Sequence, residues 1–423
     1  MKRFVLALAL ALALVPAVNA QSIAITNARI HTVAGPVIER GTVVITNGKI
    51  TAVGANVTVP TGARVIDAAG KVVTPGFLDS STGLGTVEID ADDPSNDQSV
   101  TGDRITAAFN VADNLNPLST LLPVTRVEGI TRAVVVPGNG STVIAGQGVL
   151  VDLGMQGMTV NIHRNPVAMY AVLGQTGAGR AGGSRAAAIL RLREALQDAR
   201  DYNQNRRAFE SAQRRDYALS RLDLEALQPV LRRELPLVIS VHRASDILGA
   251  LRVAQEFNVR VIVSGASEGW IVARELAAAN TPVIVNPMGN IPGMESLGIT
   301  LENAARLHAA GVNQVFATFE SHNSRNLKQL AGNAVSYGMP FDAALRAVTL
   351  NPARLWGIAD RYGSLEVGKD ADVVVWSGDP FELTTTVEHV FINGREVSDE
   401  TRQRALFNRY RRLGGAMPEA YIR

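Results

Sequence analysis

Between residues 132 and 317 the chain repeats one unit: a short run of β-branched and aliphatic residues, then a helix. Few folds absorb such a repeat. Strands are expected at 132–136, 167–173, 236–241, 260–263, 282–285 and 312–317. Helices are expected at 246–257, 268–279 and 301–310, the last with Thr300 placed to cap its start and Gly311 just past its end. Strand–helix units spaced in this way predict a parallel sheet.

The two ends of the chain follow another rule. Residues 22–26, 41–46, 49–53 and 63–67 are short alternating segments bounded by Asn, Gly or Pro, and Asn47-Gly48 between two of them is a strong hairpin signal. Short strands return at 363–366, 371–376 and 387–393, and Asn393-Gly394 marks another hairpin. β segments on both sides of a βα array predict that the two ends pair into one small domain. From Glu400 onward the tail reads as an Arg-rich terminal helix.

Residues 1–20 have the make-up of a secretory signal: Lys2 and Arg3, an apolar run from Phe4 to Val15, and small residues at Val18-Asn19-Ala20. An exported protein, periplasmic or secreted, is expected. The chain holds 41 Lys and Arg against 39 Asp and Glu; without Lys2 and Arg3 the balance is 39 to 39, so charge gives no case for nucleic acid. The cluster Arg206, Arg207, Arg214 and Arg215 is interleaved with Glu210 and Asp216 and reads as a solvated helix face. No later segment is long and apolar enough to span a bilayer. There are no cysteines, which removes thiol nucleophiles and thiolate metal ligands.

The flanks resemble the amidohydrolase superfamily, in its imidazolonepropionase-like branch. The resemblance rests on Ile25-Thr-Asn-Ala-Arg-Ile30, Gly48-Lys-Ile-Thr-Ala-Val-Gly54, Val65-Ile-Asp-Ala-Ala-Gly70 and Thr74-Pro-Gly-Phe-Leu-Asp79 at the start. At the end it rests on Asn351-Pro-Ala-Arg354, Gly363-Ser-Leu-Glu-Val-Gly-Lys-Asp-Ala-Asp372 and Phe391-Ile-Asn-Gly394. It implies an α/β fold: a (β/α)8 TIM-like barrel over 73–362 and a small composite β-sandwich domain from 21–72 plus 363–398, with 399–423 as a C-terminal tail. It also implies hydrolysis of a carbon–nitrogen bond by water that one or two divalent, zinc-like metal ions activate at the C-terminal ends of the strands.

Set against the family's ligands, the motif positions here are depleted. The family's first strand ends Asp-x-His-x-His; here Asp79-Ser80-Ser81-Thr82-Gly83 puts Ser81 and Gly83 where histidines are expected. Gln175 follows the fourth strand in place of an acidic residue, and Gly265 stands where the sixth strand should bring a histidine. His242 remains at the end of the fifth strand, and Thr318-Phe-Glu-Ser-His322 offers Glu320 and His322 near the eighth. A reduced metal site of His242, Glu320 and His322 is one expectation, with Glu320 as general base. The other is that these residues merely line a cleft. Arg243, Arg180 and Gln175 are the candidate substrate contacts, and Arg180 and Arg185 near a helix start are placed to hold a carboxylate.

Two motifs lead elsewhere. Gly265-Ala-Ser-Glu-Gly269 fits a nucleophile elbow with Ser267 as nucleophile, but no Asp and His follow in hydrolase order. Gly177-Ala-Gly-Arg-Ala-Gly182 fits a dinucleotide fingerprint but falls late in the array, so no nucleotide cofactor is expected and a mobile loop over the barrel mouth is. His163 is expected at the opposite face of the barrel, and His31, His308 and His389 in structural roles. Two functions follow: a hydrolase of small non-peptide or cyclic amides, or a catalytically inactive barrel that binds a ligand or serves as a partner subunit. A homo-oligomer or a related amidohydrolase subunit is the expected protein partner.

Overall fold

The computed structural model describes residues 22–411 except 103, 157, 158, 212, 214 and 215. The signal-like segment and Arg214 and Arg215 lie outside the described residues.

Five strands open the chain: β1 (Ile23–Ile30), β2 (Ile38–Thr46), β3 (Lys49–Gly54), β4 (Arg64–Asp67) and β5 (Val72–Pro75). Eight follow: β6 (Phe77–Thr82), β7 (Ile130–Val135), β8 (Ile144–Gln156), β9 (Thr159–Val172), β10 (Leu237–Val241), β11 (Val261–Gly265), β12 (Val283–Val285) and β13 (Gln314–Phe316). Three close it: β14 (Val373–Trp376), β15 (Val387–Ile392) and β16 (Arg395–Glu396).

The outer strands form one mixed sheet in the order β16-β15-β14-β5-β1-β2-β3, with β4 paired to β1. Segments 300 residues apart meet where β14 runs antiparallel to β5, Val374 opposite Thr74. Both expected Asn-Gly turns form. Asn47 and Gly48 take φ of 51° and 80°, and Asn393 and Gly394 take 50° and 73°, the left-handed pair that a tight hairpin requires. Residues 363–366 are not a strand. Gly363 turns the chain at φ 88°, and only Leu365 N–H reaches back, to Thr32 O at 3.0 Å.

Strands β6 to β13 form a nearly closed barrel sheet in chain order. Each gives one side chain to an apolar interior layer: Leu78, Val134, Leu150, Ala168, Val238, Ile262, Ile284 and Val315. Their neighbours along the strand, such as Leu237, Ile239 and Val241, pack outward with the helix layer. This two-residue alternation accounts for the apolar runs, since a strand covered on both faces has no polar side to show. Side-chain and loop bonds close the gap between β6 and β13: Phe319 N–H donates to Ser81 O at 3.0 Å, and Thr82 Oγ1 donates to Glu320 O at 2.6 Å.

The sheet is not wholly parallel, as the sequence pattern had suggested. β8 runs antiparallel to both β7 and β9. Residues 136–143 are too few for a helical crossover, which needs a dozen or more, so the chain turns straight back. The expected helices form with shifted edges: the first starts two residues earlier, at Ala244–Phe257, while the other two are shorter, a 3-10 turn at Gly269–Val272 followed by Ala273–Ala278, and Asn303–Ala309. The Arg-rich tail does hold a helix, Arg402–Tyr410.

Beneath the barrel, the outer sheet is held by a buried charge cluster. Arg132 of β7 lies 2.8 Å from Asp372 and 3.6 Å from Asp152, with its guanidinium 3.4 Å from the Tyr362 ring centre. His163 of β9 bonds Asp152 at 3.1 Å. Burial pushes the Asp372 carboxyl above its usual range. For Asp152 burial acts the same way, but the bond to His163 and the Arg132 charge outweigh it and hold the group below that range. His163 thus serves in the joint between barrel and outer sheet.

Candidate functional site at the barrel mouth

One layer above the apolar ring, the inward-facing positions turn polar. Val238 is followed two residues on by Ser240, and Ile262 by Ser264; the two serines are register partners on adjacent strands. With Tyr170 of β9, Ser81 of β6 and Gln98 and Asn139 from the loops above, they line a cavity of about 260 Å³ roofed in part by Phe319. Gln98 is fixed by donating from Nε2 to Val136 O at 3.0 Å. The Tyr170 hydroxyl is buried and has no hydrogen-bond partner among the described residues.

The end of β6 is wholly buried. The Asp79 carboxylate accepts N–H bonds from Ser81 and Thr318, both at 3.2 Å, and a short bond from Thr318 Oγ1. Burial pushes its pKa up to about 7, against the pull of these three donors in the other direction. Asp79 is therefore held by the last barrel segment instead of facing the cavity as an open ligand.

The depleted motif positions are filled by neighbours. A Cβ at Gly83 would stand 2.5 Å from Ser321 Oγ and 3.1 Å from Gln98 Nε2. A Cβ at Gly265, whose φ is 89°, would stand 2.6 Å from His242 Cε1. His242 itself bonds Ser267 Oγ through Nδ1 at 2.8 Å. Burial lowers its pKa, offset in part by the negative charge of Glu295, so the imidazole is neutral at neutral pH. The elbow pattern, set aside on chain order, thus contributes one real contact, Ser267 with His242.

The other candidates lie apart. Glu320 is exposed, with its carbonyl bound by Thr82 and Ser324. His322 is 40% exposed and faces Asp90 at 3.4 Å. Among the described residues no three His, Asp or Glu side chains gather closely enough to hold a metal ion. The structure thus does not bring His242, Glu320 and His322 together. The residues present do not fit the divalent metal that the family implies, because Gly83 and Gly265 bring no donor and their side-chain volumes are taken.

The expected substrate contacts are also displaced. Arg243 is exposed at the start of helix Ala244–Phe257. Arg185 is spent on Asp246 at 3.0 Å, and Arg180 lines a different cavity, beside Arg191 and Glu194. Gln175 is exposed, and its N–H donates to Glu295 Oε1 at 2.5 Å. The glycine-rich stretch is not an open loop, because helix Gly174–Arg180 takes in its first four residues. A Cβ on Gly177 would stand 2.6 Å from Val172 O, so close packing explains that glycine without a nucleotide.

Sequence reading missed Tyr170, Ser240, Ser264 and Gln98. The two-residue alternation places the first three on the same inward line as Ala168, Val238 and Ile262, and that was the available signal. Glu268 was also passed over. Its carboxylate caps the helix start at Ala244 N and holds Gly298 N, both at 2.9 Å.

A sequence profile of the Amidohydrolase family matches residues 243–397. The amidohydrolase tasK of Hapsidospora irregularis is 24% identical over 86% of this chain and 40% of its own length. The imidazolonepropionase of Thermoplasma volcanium is 42% identical over 16% of this chain and 19% of its own. The chain therefore spans well under two thirds of these curated relatives. The solved structure of an amidohydrolase from Thermotoga maritima aligns with a TM-score of 0.80 at 28% identity, over 89% of this chain and 99% of that one.

Proposed function

The chain belongs to the amidohydrolase superfamily, in its imidazolonepropionase-like branch, and from that premise we propose that it acts on a carbon–nitrogen bond of a small non-peptide or cyclic amide at the barrel mouth. The observation that carries this reading is the match over 99% of the Thermotoga maritima amidohydrolase, with a concave polar mouth at the strand ends. The cavity offers hydroxyl and amide groups to orient an amide, and just outside its lining, two residues beyond Ser240, stands a neutral imidazole able to accept a proton, His242, with the Ser267 hydroxyl bonded to it.

Under this reading the sheet drawn from both flanks is a composite β-domain, 21–72 plus 363–398, beside a barrel over 73–362. Its sandwich form is supported by one apolar core that joins Ile25 and Ile45 to Val373 and Phe391. Residues 1–20 act as an export signal, which places the mature protein in the periplasm or outside the cell. Glu320 and His322, at the rim, would take part only after the segment following β13 moves.

The test is amine release from a panel of lactams, hydantoins and dipeptides by the mature protein, with elemental analysis of the same sample. Turnover that falls on His242→Ala supports hydrolysis. A stoichiometric metal lost in that variant would show that the mouth rearranges to bind one. A second reading, a silent barrel that binds a ligand or stabilises an active relative, is favoured by the filled volumes at Gly83 and Gly265. It is upheld if no substrate turns over while the protein co-purifies with a partner.

A further inference from the structure

The mouth cavity differs in charge from what an amide-hydrolysing site with arginine contacts would show. Among the described residues no Asp, Glu, Lys, Arg or His lines it. Its polar groups are the hydroxyls of Ser81, Ser240, Ser264 and Tyr170, the amides of Gln98 and Asn139, and the Thr82 hydroxyl, which is spent on Glu320 O and Ser324; Phe319 is an apolar wall. The Tyr170 residue is 8% exposed, and its hydroxyl is buried with no hydrogen-bond partner among the described residues, an unspent group at the cavity wall. The three serine hydroxyls make no side-chain bond to other described residues, so their hydrogen-bonding capacity is also unspent.

We propose that this cavity is a binding site for a small uncharged amide, and that it discriminates against ionised molecules of the same skeleton. The proposal rests on the reading of the mouth as the functional site. An ionised group placed there would lose its hydration and meet no opposite charge, and the cost of such burial is large. Arg180 and Arg243, which could have supplied that charge, are not in its lining; Arg180 touches the wall from behind, donating to the Asn139 carbonyl at 3.4 Å. An amide has one carbonyl to accept and one N–H to donate, and hydroxyls serve both needs because they rotate to donate or accept. The cavity's about 260 Å³ is at the small end of ligand sites and suits a single ring.

The experiment titrates the purified mature chain with δ-valerolactam and, separately, with 5-aminovalerate, its ring-opened zwitterion, by calorimetry and ligand-observed NMR. The lactam is expected to bind in the millimolar range, at least about tenfold tighter than the zwitterion. Tyr170→Phe should weaken the lactam roughly 2- to 10-fold, the loss of one hydrogen bond. Ser264→Ala should act in the same direction and decides the matter if Tyr170→Phe does not fold. Equal or tighter binding of 5-aminovalerate overturns the proposal. So does lactam binding untouched by either variant, or no lactam binding at all. Lactam binding without ring opening keeps this proposal and counts against hydrolysis. Turnover of ionised substrates alone keeps hydrolysis and overturns this proposal.

Discussion

The imidazole of His242 occupies the volume a side chain at Gly265 would need: a Cβ built there stands 2.6 Å from Cε1. The retained histidine and the missing one are thus coupled, since the first has taken the place of the second.

Gly265→Ala is expected to cost about 1–3 kcal/mol, because the methyl overpacks against the ring and the residue sits at φ 89°. In a His242→Ala background the packing part of that cost should vanish while the backbone part stays. Thermal melts of the four proteins give the coupling. A Gly265→Ala chain that melts like the parent would show that the ring moves aside freely.

Asp79 predicts a pH dependence of stability. Its pKa is about 7 in the folded chain and 3.8 when unfolded, so between these values the folded state binds the extra proton. Its contribution is therefore fully present below about pH 3.8 and is lost as pH rises through 7, about 4 kcal/mol at most. Asp79→Asn stays neutral throughout, with Thr318 Oγ1 turning from donor to acceptor, and should flatten that slope. Urea denaturation at pH 5, 6, 7 and 8 checks it; parallel profiles for parent and variant would refute it.

Arg132→Met leaves Asp152 and Asp372 buried beside an apolar side chain. Breaking a buried pair from one side costs about 3–5 kcal/mol, less whatever Asp372 recovers by taking a proton. Chemical denaturation should show this loss. A change under about 1 kcal/mol would mean that the cluster does not hold the outer sheet to the barrel.

Glu268→Ala removes the acceptor for Ala244 N and Gly298 N. The helix cap alone is worth about 1 kcal/mol, and the segment 287–299 loses a tether to the barrel. Limited proteolysis should cut that segment faster in the variant; equal rates would assign its order to other contacts.

The flanking strands, the Asn-Gly turns and most barrel strands are legible because their signals are local: alternation along a strand and φ-permissive turn residues. β8 is not, since residues 144–156 carry five glycine or amide residues and read as loop; its partners are supplied by β7 and β9. The site was legible only as a set of losses. Ser81, Gly83 and Gly265 were visible as missing donors, but which neighbours fill their space depends on contacts such as Ser321 with Gly83, more than 200 residues apart. Arg180 and Arg185 looked like anion contacts by proximity to a helix start, whereas Arg185 is paired with Asp246, a residue on another helix.

The reversed strand β8 also changes what this barrel can vary. Because β8 begins at the mouth and runs away from it, β7 and β8 share one connection there, and the β8–β9 hairpin opens on the far face. Seven segments, not eight, are left to build the rim. Diversification of this scaffold, in nature or by loop grafting, has one sector fewer in which to shape recognition. In exchange, the paired strand ends at Gln156 and Thr159 lie remote from the mouth, and a peptide or tag inserted between these strands would leave that recognition undisturbed.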